Sequence, residues 1–154
     1  MSTHAATILW QREQEADFAA GRYSRRHAWR FDGGGVVAAS ASPDVVQAPW
    51  SDPAAVDPEE AFVASIASCH MLWFLSLAAD RGHVVDSYTD EAIGTLGRVA
   101  PGRMAITEVV LRPQVVFTQA EPHADAIRSL HEDAHDRCFI ARSVRCAIRI
   151  EPAA

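Results

Sequence analysis

Apolar and polar positions alternate along this chain with two different periods. Residues 23–31 (YSRRHAWRF) put Tyr23, Arg25, His27, Trp29 and Phe31 on one face at period two. Asp32-Gly33 then supplies a turn before Val36-Val37, so a hairpin is predicted there. An apolar run over about residues 5–12 predicts a first strand, and residues 40–57, rich in Ser, Pro, Asp and Ala, predict a long connection. Asp57-Pro58-Glu59-Glu60 reads as a helix start: Asp as N-cap, Pro at the first helical position, and Glu60 placed for a capping box. That helix should run to about Asp80-Arg81-Gly82, where glycine can take the left-handed closing position. Residues 84–100 and 104–118 read as two long strands joined by a Pro101-Gly102 turn. Residues 122–137 carry Ile127, Leu130 and Ala134 on one side of a second helix. Residues 143–151 alternate Val144, Cys146, Ile148 and Ile150 as a closing strand.

Elements grouped in this order, rather than strictly alternating, favour an α+β fold over a parallel α/β sheet. With 154 residues, one domain spanning 1–154 is the expectation. Hydrophobic residues at 49% and charged residues at 22% exclude disordered and fibrous classes. All 14 positive residues are Arg, scattered against 20 acids, for a net charge of −6. A nucleic-acid partner is therefore not expected, because such binders carry a basic stripe.

Residues 61–79 hold no Asp, Glu, Lys or Arg, close to the roughly 20 apolar residues that span a bilayer. Ser65, Ser68, Cys69, His70 and Ser76 interrupt the run, and no basic anchors precede it, so it reads as a buried central helix and not a membrane span. Three cysteines are too few for a secreted disulfide framework, and the chain opens without a basic then apolar leader; a cytoplasmic location is expected.

Cys69 lies in the middle of the predicted helix and Cys138 just after the second. A helical Cys is usually a small buried hydrophobe, and Cys146, alternating with Ile148 and Ile150, fits that reading. A reactive Cys69 would need its thiolate stabilised. The helix dipole cannot do this, because Cys69 is about three turns from the N-cap. A cation from another segment is required, and the strand carrying Arg25 and Arg26 is a plausible source.

The run DPEEAFVASIASCH resembles the helix motif of the OsmC/Ohr family, the osmotically inducible and organic-hydroperoxide-resistance proteins, and CFIARSV resembles that family's second-cysteine motif. YSRRH followed by WRFDGG is similar to the N-terminal hairpin of a short OsmC-like subgroup, the likeness covering about residues 20–151. The resemblance implies an OsmC-like fold with antiparallel sheets around a long central helix, in an intertwined homodimer. It implies a thiol peroxidase for organic hydroperoxides, with no cofactor, Cys69 as the peroxidatic and Cys138 as the resolving cysteine. An Arg and a Glu would assist: Glu59, and Arg25, although Arg26 and Arg30 are alternatives because the strand aligns loosely. The implied reductant is a dithiol or a lipoylated protein. Met71, Leu72, Trp73 and Phe74 would then line an apolar pocket, or simply be core. The competing expectation is a non-catalytic OsmC-like protein that binds a small apolar ligand or senses redox state.

His131-Glu132-Asp133-Ala134-His135 also satisfies H-E-x-x-H, the spacing that sets two imidazoles on one helix face for zinc. A catalytic zinc needs a third protein ligand, and the chain beyond offers only Cys138 and Glu151. No metal is expected, and the plain reading of the segment is a solvated helix face. Glu59 and Cys69 are ten residues apart, hence about 15 Å along one helix. They cannot meet within a chain, so a dimer with crossed helices would have to bring Glu59 and its Arg to the Cys69 of the partner.

Overall fold

The computed structural model describes residues 1–118 and 122–152. Its elements run β1 (Ala6–Leu9), β2 (His27–Phe31), β3 (Val36–Ala39), α1 (Pro58–Asp80), β4 (Val85–Asp90), β5 (Ile93–Ala100), β6 (Arg103–Leu111), β7 (Pro113–Phe117), α2 (Ala124–Arg137), a 3-10 turn (Ala141–Ser143) and β8 (Ala147–Ile150). The chain divides into two compact units, Met1–Ala61 and Phe62–Ala154, with α1 continuous through the boundary.

In the first unit, β1, β2 and β3 form an antiparallel sheet in chain order, with Trp29 opposite Ile8 and Val37. The predicted hairpin is there, closed through Asp32 and the three glycines after it, with Gly34 at φ 86°. The long connection after β3 is tied back by side chains: the Asp52 N–H donates to Ser40 Oγ at 3.0 Å, and Arg26 Nε meets Asp52 Oδ2 at 2.9 Å. The helix start forms the predicted reciprocal cap. Glu60 N–H donates to Asp57 Oδ1 at 2.7 Å, and Asp57 N–H donates to Glu60 Oε2 at 3.1 Å.

In the second unit, α1 packs through two clusters. Ile66, with Phe62, Val63 and Ala67, meets Val109, Leu111, Ile148 and Ile150 of the sheet ordered β5-β6-β8, in which β6 and β8 run parallel. Phe74, Leu77 and Ala78 meet Leu130 and Ala134 of α2 and partly buried side chains of the β4-β7 pair. Cys69 and His70 fall between the two clusters. Gly82, at φ 76°, ends the helix: the His83 N–H reaches back to the Ala78 carbonyl at 2.9 Å. By length and composition α1 is long and apolar enough to cross a membrane; its buried side chains, Ile66, His70, Phe74, Leu77 and Ala78, instead build this core.

The two predicted long strands are four. The Pro101-Gly102 turn holds as the β5–β6 hairpin, but β4 leaves that ladder and pairs with β7. The division falls where Asp90 Oδ1 accepts the Arg112 N–H at 2.7 Å in place of a backbone carbonyl, and where Pro113 has no N–H to give. The closing strand is shorter than predicted, because Ala141–Ser143 turns as a 3-10 helix; Val144 and Cys146 still face the apolar cluster.

Candidate functional site

Helical periodicity sets the cysteine pair. His131 and Ala134 on α2, and Cys138 at its C-cap, follow at three- and four-residue spacing and are all buried. On α1, Ile66, His70 and Phe74 form the buried stripe, and Cys69 stands at its edge, half-buried. Cys69 and Cys138 are both free and unbridged, and Cys69 is near enough to act on the Cys138 thiol. Cys138 is fully buried. Burial pushes its thiol up, to about 11; Cys69 adds to the rise, and the Ala141 N–H, 3.3 Å from Sγ, opposes it. Cys138 therefore holds its proton at neutral pH and can donate it toward Cys69. Cys146 is a separate case: it packs with Ile148 and Ile150, away from this pair, and burial raises its thiol too.

The four residues thought to form an apolar pocket do not converge. Phe74 is wholly buried core and Leu72 is 63% exposed, because consecutive helical positions point about 100° apart. The segment read as a solvated helix face is one only in part, since Glu132 is exposed but His131 is not. His131 is only 3% exposed: its Nδ1 lies 3.0 Å from His70 Nε2, and the rings stack at 5.3 Å and 6°. Burial, reinforced by repulsion from His131 and His135, holds His70 down to about 3, and burial holds His131 down to about 4, so both are neutral near pH 7. His70 Nδ1 and His131 Nε2 have no partner among the described residues. Among those residues no group of three or more His, Cys, Asp or Glu is arranged to hold a metal. This pair was not anticipated from sequence, although His70 shares the period of Ile66, Phe74 and Leu77, and His131 that of Cys138.

The candidate arginines separate clearly within the first unit. Arg25 is half-buried; its Nη1 donates to the carbonyls of Gly21 at 2.7 Å and Tyr23 at 2.5 Å, and its guanidinium lies 3.7 Å over the Tyr23 ring. Arg26 is exposed and paired with Asp52, and Arg30 is exposed with no ion pair among the described residues. Arg25 faces a cavity of about 430 Å³ walled by Trp10, Phe18, Tyr23 and His27. Phe18 and Tyr23 stack at 4.4 Å, with Trp10 within 6 Å of each. His27 Nε2 accepts from Trp29 Nε1 at 2.9 Å, which leaves Nδ1 to donate to the Arg25 carbonyl at 2.8 Å and fixes its tautomer. Glu59 makes no ion pair with Arg25 among the described residues of one chain.

A family model for OsmC-like proteins matches residues 51–153. Comparison with curated proteins returns no match. Among solved structures, an OsmC-like protein of unknown function from Vibrio cholerae is 49% identical, covers 99% of this chain and 100% of its own, and superposes with a TM-score of 0.96. Organic hydroperoxide resistance proteins of Elizabethkingia anophelis (17% identity, 99% of this chain, 94% of theirs, TM-score 0.72) and Bacillus subtilis (16%, 99%, 98%, 0.66) share the fold. The chain belongs to the OsmC-like family.

Proposed function

We propose that this member of the OsmC-like family is a thiol-dependent peroxidase that reduces organic hydroperoxides. The observation that carries this reading is the proximity of Cys69 to Cys138, one thiol half-buried and the other buried with its pKa raised. In the proposed cycle the Cys69 thiolate attacks the distal peroxide oxygen; the O–O bond breaks, the alcohol leaves after taking up a proton, and Cys69 becomes a sulfenic acid. Cys138, already close by, displaces hydroxide from that sulfur, its thiol proton completing water, and a disulfide forms. An external dithiol or lipoylated protein supplies the two electrons that restore the thiols. The apolar cavity bearing Arg25 supports an organic rather than an inorganic peroxide, and makes Arg25 the preferred partner for the peroxide oxygens and for Glu59.

The proposed assembly is a homodimer. A helix apolar on all sides is normally covered on all sides, yet only 28% of the most apolar stretch of α1 is buried within one chain. A second copy covering it would bring Arg25 and Glu59 to the partner's thiols.

The test is consumption of cumene hydroperoxide with loss of two thiols per chain, followed by alkylation and peptide mapping. A Cys69–Cys138 bridge with Cys146 alkylated is the expected result; a bridge through Cys146, or no consumption, overturns the reading in favour of a non-catalytic ligand-binding or redox-sensing relative. Cys69→Ser should abolish turnover. Cys138→Ser should allow one oxidation and stop at sulfenic or over-oxidised Cys69.

A further inference from the structure

Within the second unit a cation adjoins the second cysteine in sequence. Arg137 directly precedes Cys138 at the end of α2, and its guanidinium lies 5.8 Å from the centre of the Trp73 ring. Trp73 is one helical turn beyond Cys69, so the two side chains stand on the same face of α1, their Cβ atoms about 5–6 Å apart. Phe139, on the other side of Cys138, meets the same indole edge-on at 5.6 Å. Trp73 is thereby met by both residues that flank Cys138, while Cys138 itself lies near enough to Cys69 to be influenced by it. The Arg137 side chain has no ion pair or hydrogen bond among the described residues, whereas Arg81 is paired with Asp133, Arg128 with Asp125 and Arg149 with Glu108. Its position in the last turn of α2 accounts for a cation there by the helix dipole, but not for its placement against an aromatic ring of α1.

We propose that Arg137, held over Trp73, supplies positive charge to the Cys69–Cys138 pair and so favours negatively charged species at Cys69. This rests on Cys69 being a reactive thiol, and it assigns a second cation to the site, from the same unit as the thiols and distinct from Arg25. Arg137 would act as a positioning charge and would not bond the peroxide.

The experiment uses the reduced full-length protein and compares alkylation of Cys69 by iodoacetate, which is anionic, and by iodoacetamide, which is neutral and similar in shape. Peptide mapping reads the rate at Cys69. Arg137 is exposed, and a unit charge beside a half-buried thiol changes the local concentration of an anion several-fold even in partly solvated surroundings, so Arg137→Gln should lower the iodoacetate-to-iodoacetamide rate ratio about five-fold. Arg137→Lys should restore most of the ratio, and 0.5 M NaCl should shrink the difference between wild type and Arg137→Gln. An unchanged ratio overturns the proposal. So does an equal change with both reagents, since that would mark Arg137 as a packing residue. The peroxidase reading fails separately, if wild-type Cys69 is alkylated normally but no hydroperoxide is consumed.

Discussion

The buried histidines make the protein's stability depend on pH in a range where most side chains are silent. His70 and His131 sit at about 3 and about 4 in the fold, below the ordinary 6.5, so the unfolded chain binds more protons between those values. Their neutral forms are fully compatible with folding above about pH 6.5, and stability is lost as pH falls from there toward the folded values. The slope is up to about 1.4 kcal/mol per pH unit for each histidine. Urea unfolding at pH 7, 6 and 5 should show this decline. The double variant His70→Phe/His131→Leu should flatten it, and a decline of equal slope in that variant would assign it to other groups. Removing one member alone is worse than removing both: His131→Leu strands His70 Nε2 in the core, at a cost of about 1–3 kcal/mol at pH 7. Sequence reading could single out the cysteines because motifs and spacing are local. It missed the histidines because their meaning is a contact between residues 61 positions apart, and nothing at His131 itself distinguishes a buried partner from a solvated helix face.

The helices were legible because their signals lie within a few residues. Asp57 and Glu60 make the predicted box, and Asp57→Ala should cost about 1 kcal/mol in thermal or urea unfolding. The strands were harder to bound. Residues 84–100 and 104–118 have the composition of continuous strands, and only the carboxylate of Asp90 and the imide nitrogen of Pro113 divide them between two sheets. Gly94 on β5 packs tightly against α1. A Cβ there would stand 2.5 Å from Val63 Cγ2, and a β-branched neighbour has little rotamer freedom to retreat. Gly94→Ala should therefore destabilise by about 1–3 kcal/mol, measured against wild type in urea. A neutral result would mean that α1 slides on its sheet more freely than close packing allows.

For the whole molecule, the proposed dimer makes the sharpest demand. Mixing inactive Cys69→Ser with inactive Glu59→Ala chains should restore activity in heterodimers, because one of their two sites keeps both residues. Mixed dimers that form and stay inactive would confine Glu59 and Cys69 to one chain, where ten residues of the continuous helix α1 hold them about 15 Å apart. Oxidation would alter the chain more deeply than its chemistry suggests. A bond between Cys69 and Cys138 closes a ring of about seventy residues that contains the end of α1, four strands and all of α2, and leaves the first sheet and β8 as tails. A loop of that size removes about 4 kcal/mol of freedom from the unfolded chain. The oxidised protein should therefore melt at a higher temperature than the reduced one, with calorimetry before and after dithiothreitol as the measure. In the proposed cycle each turn would pass the protein between a linear and a cyclic topology, and the reductant would have to work against the stability that cyclisation confers.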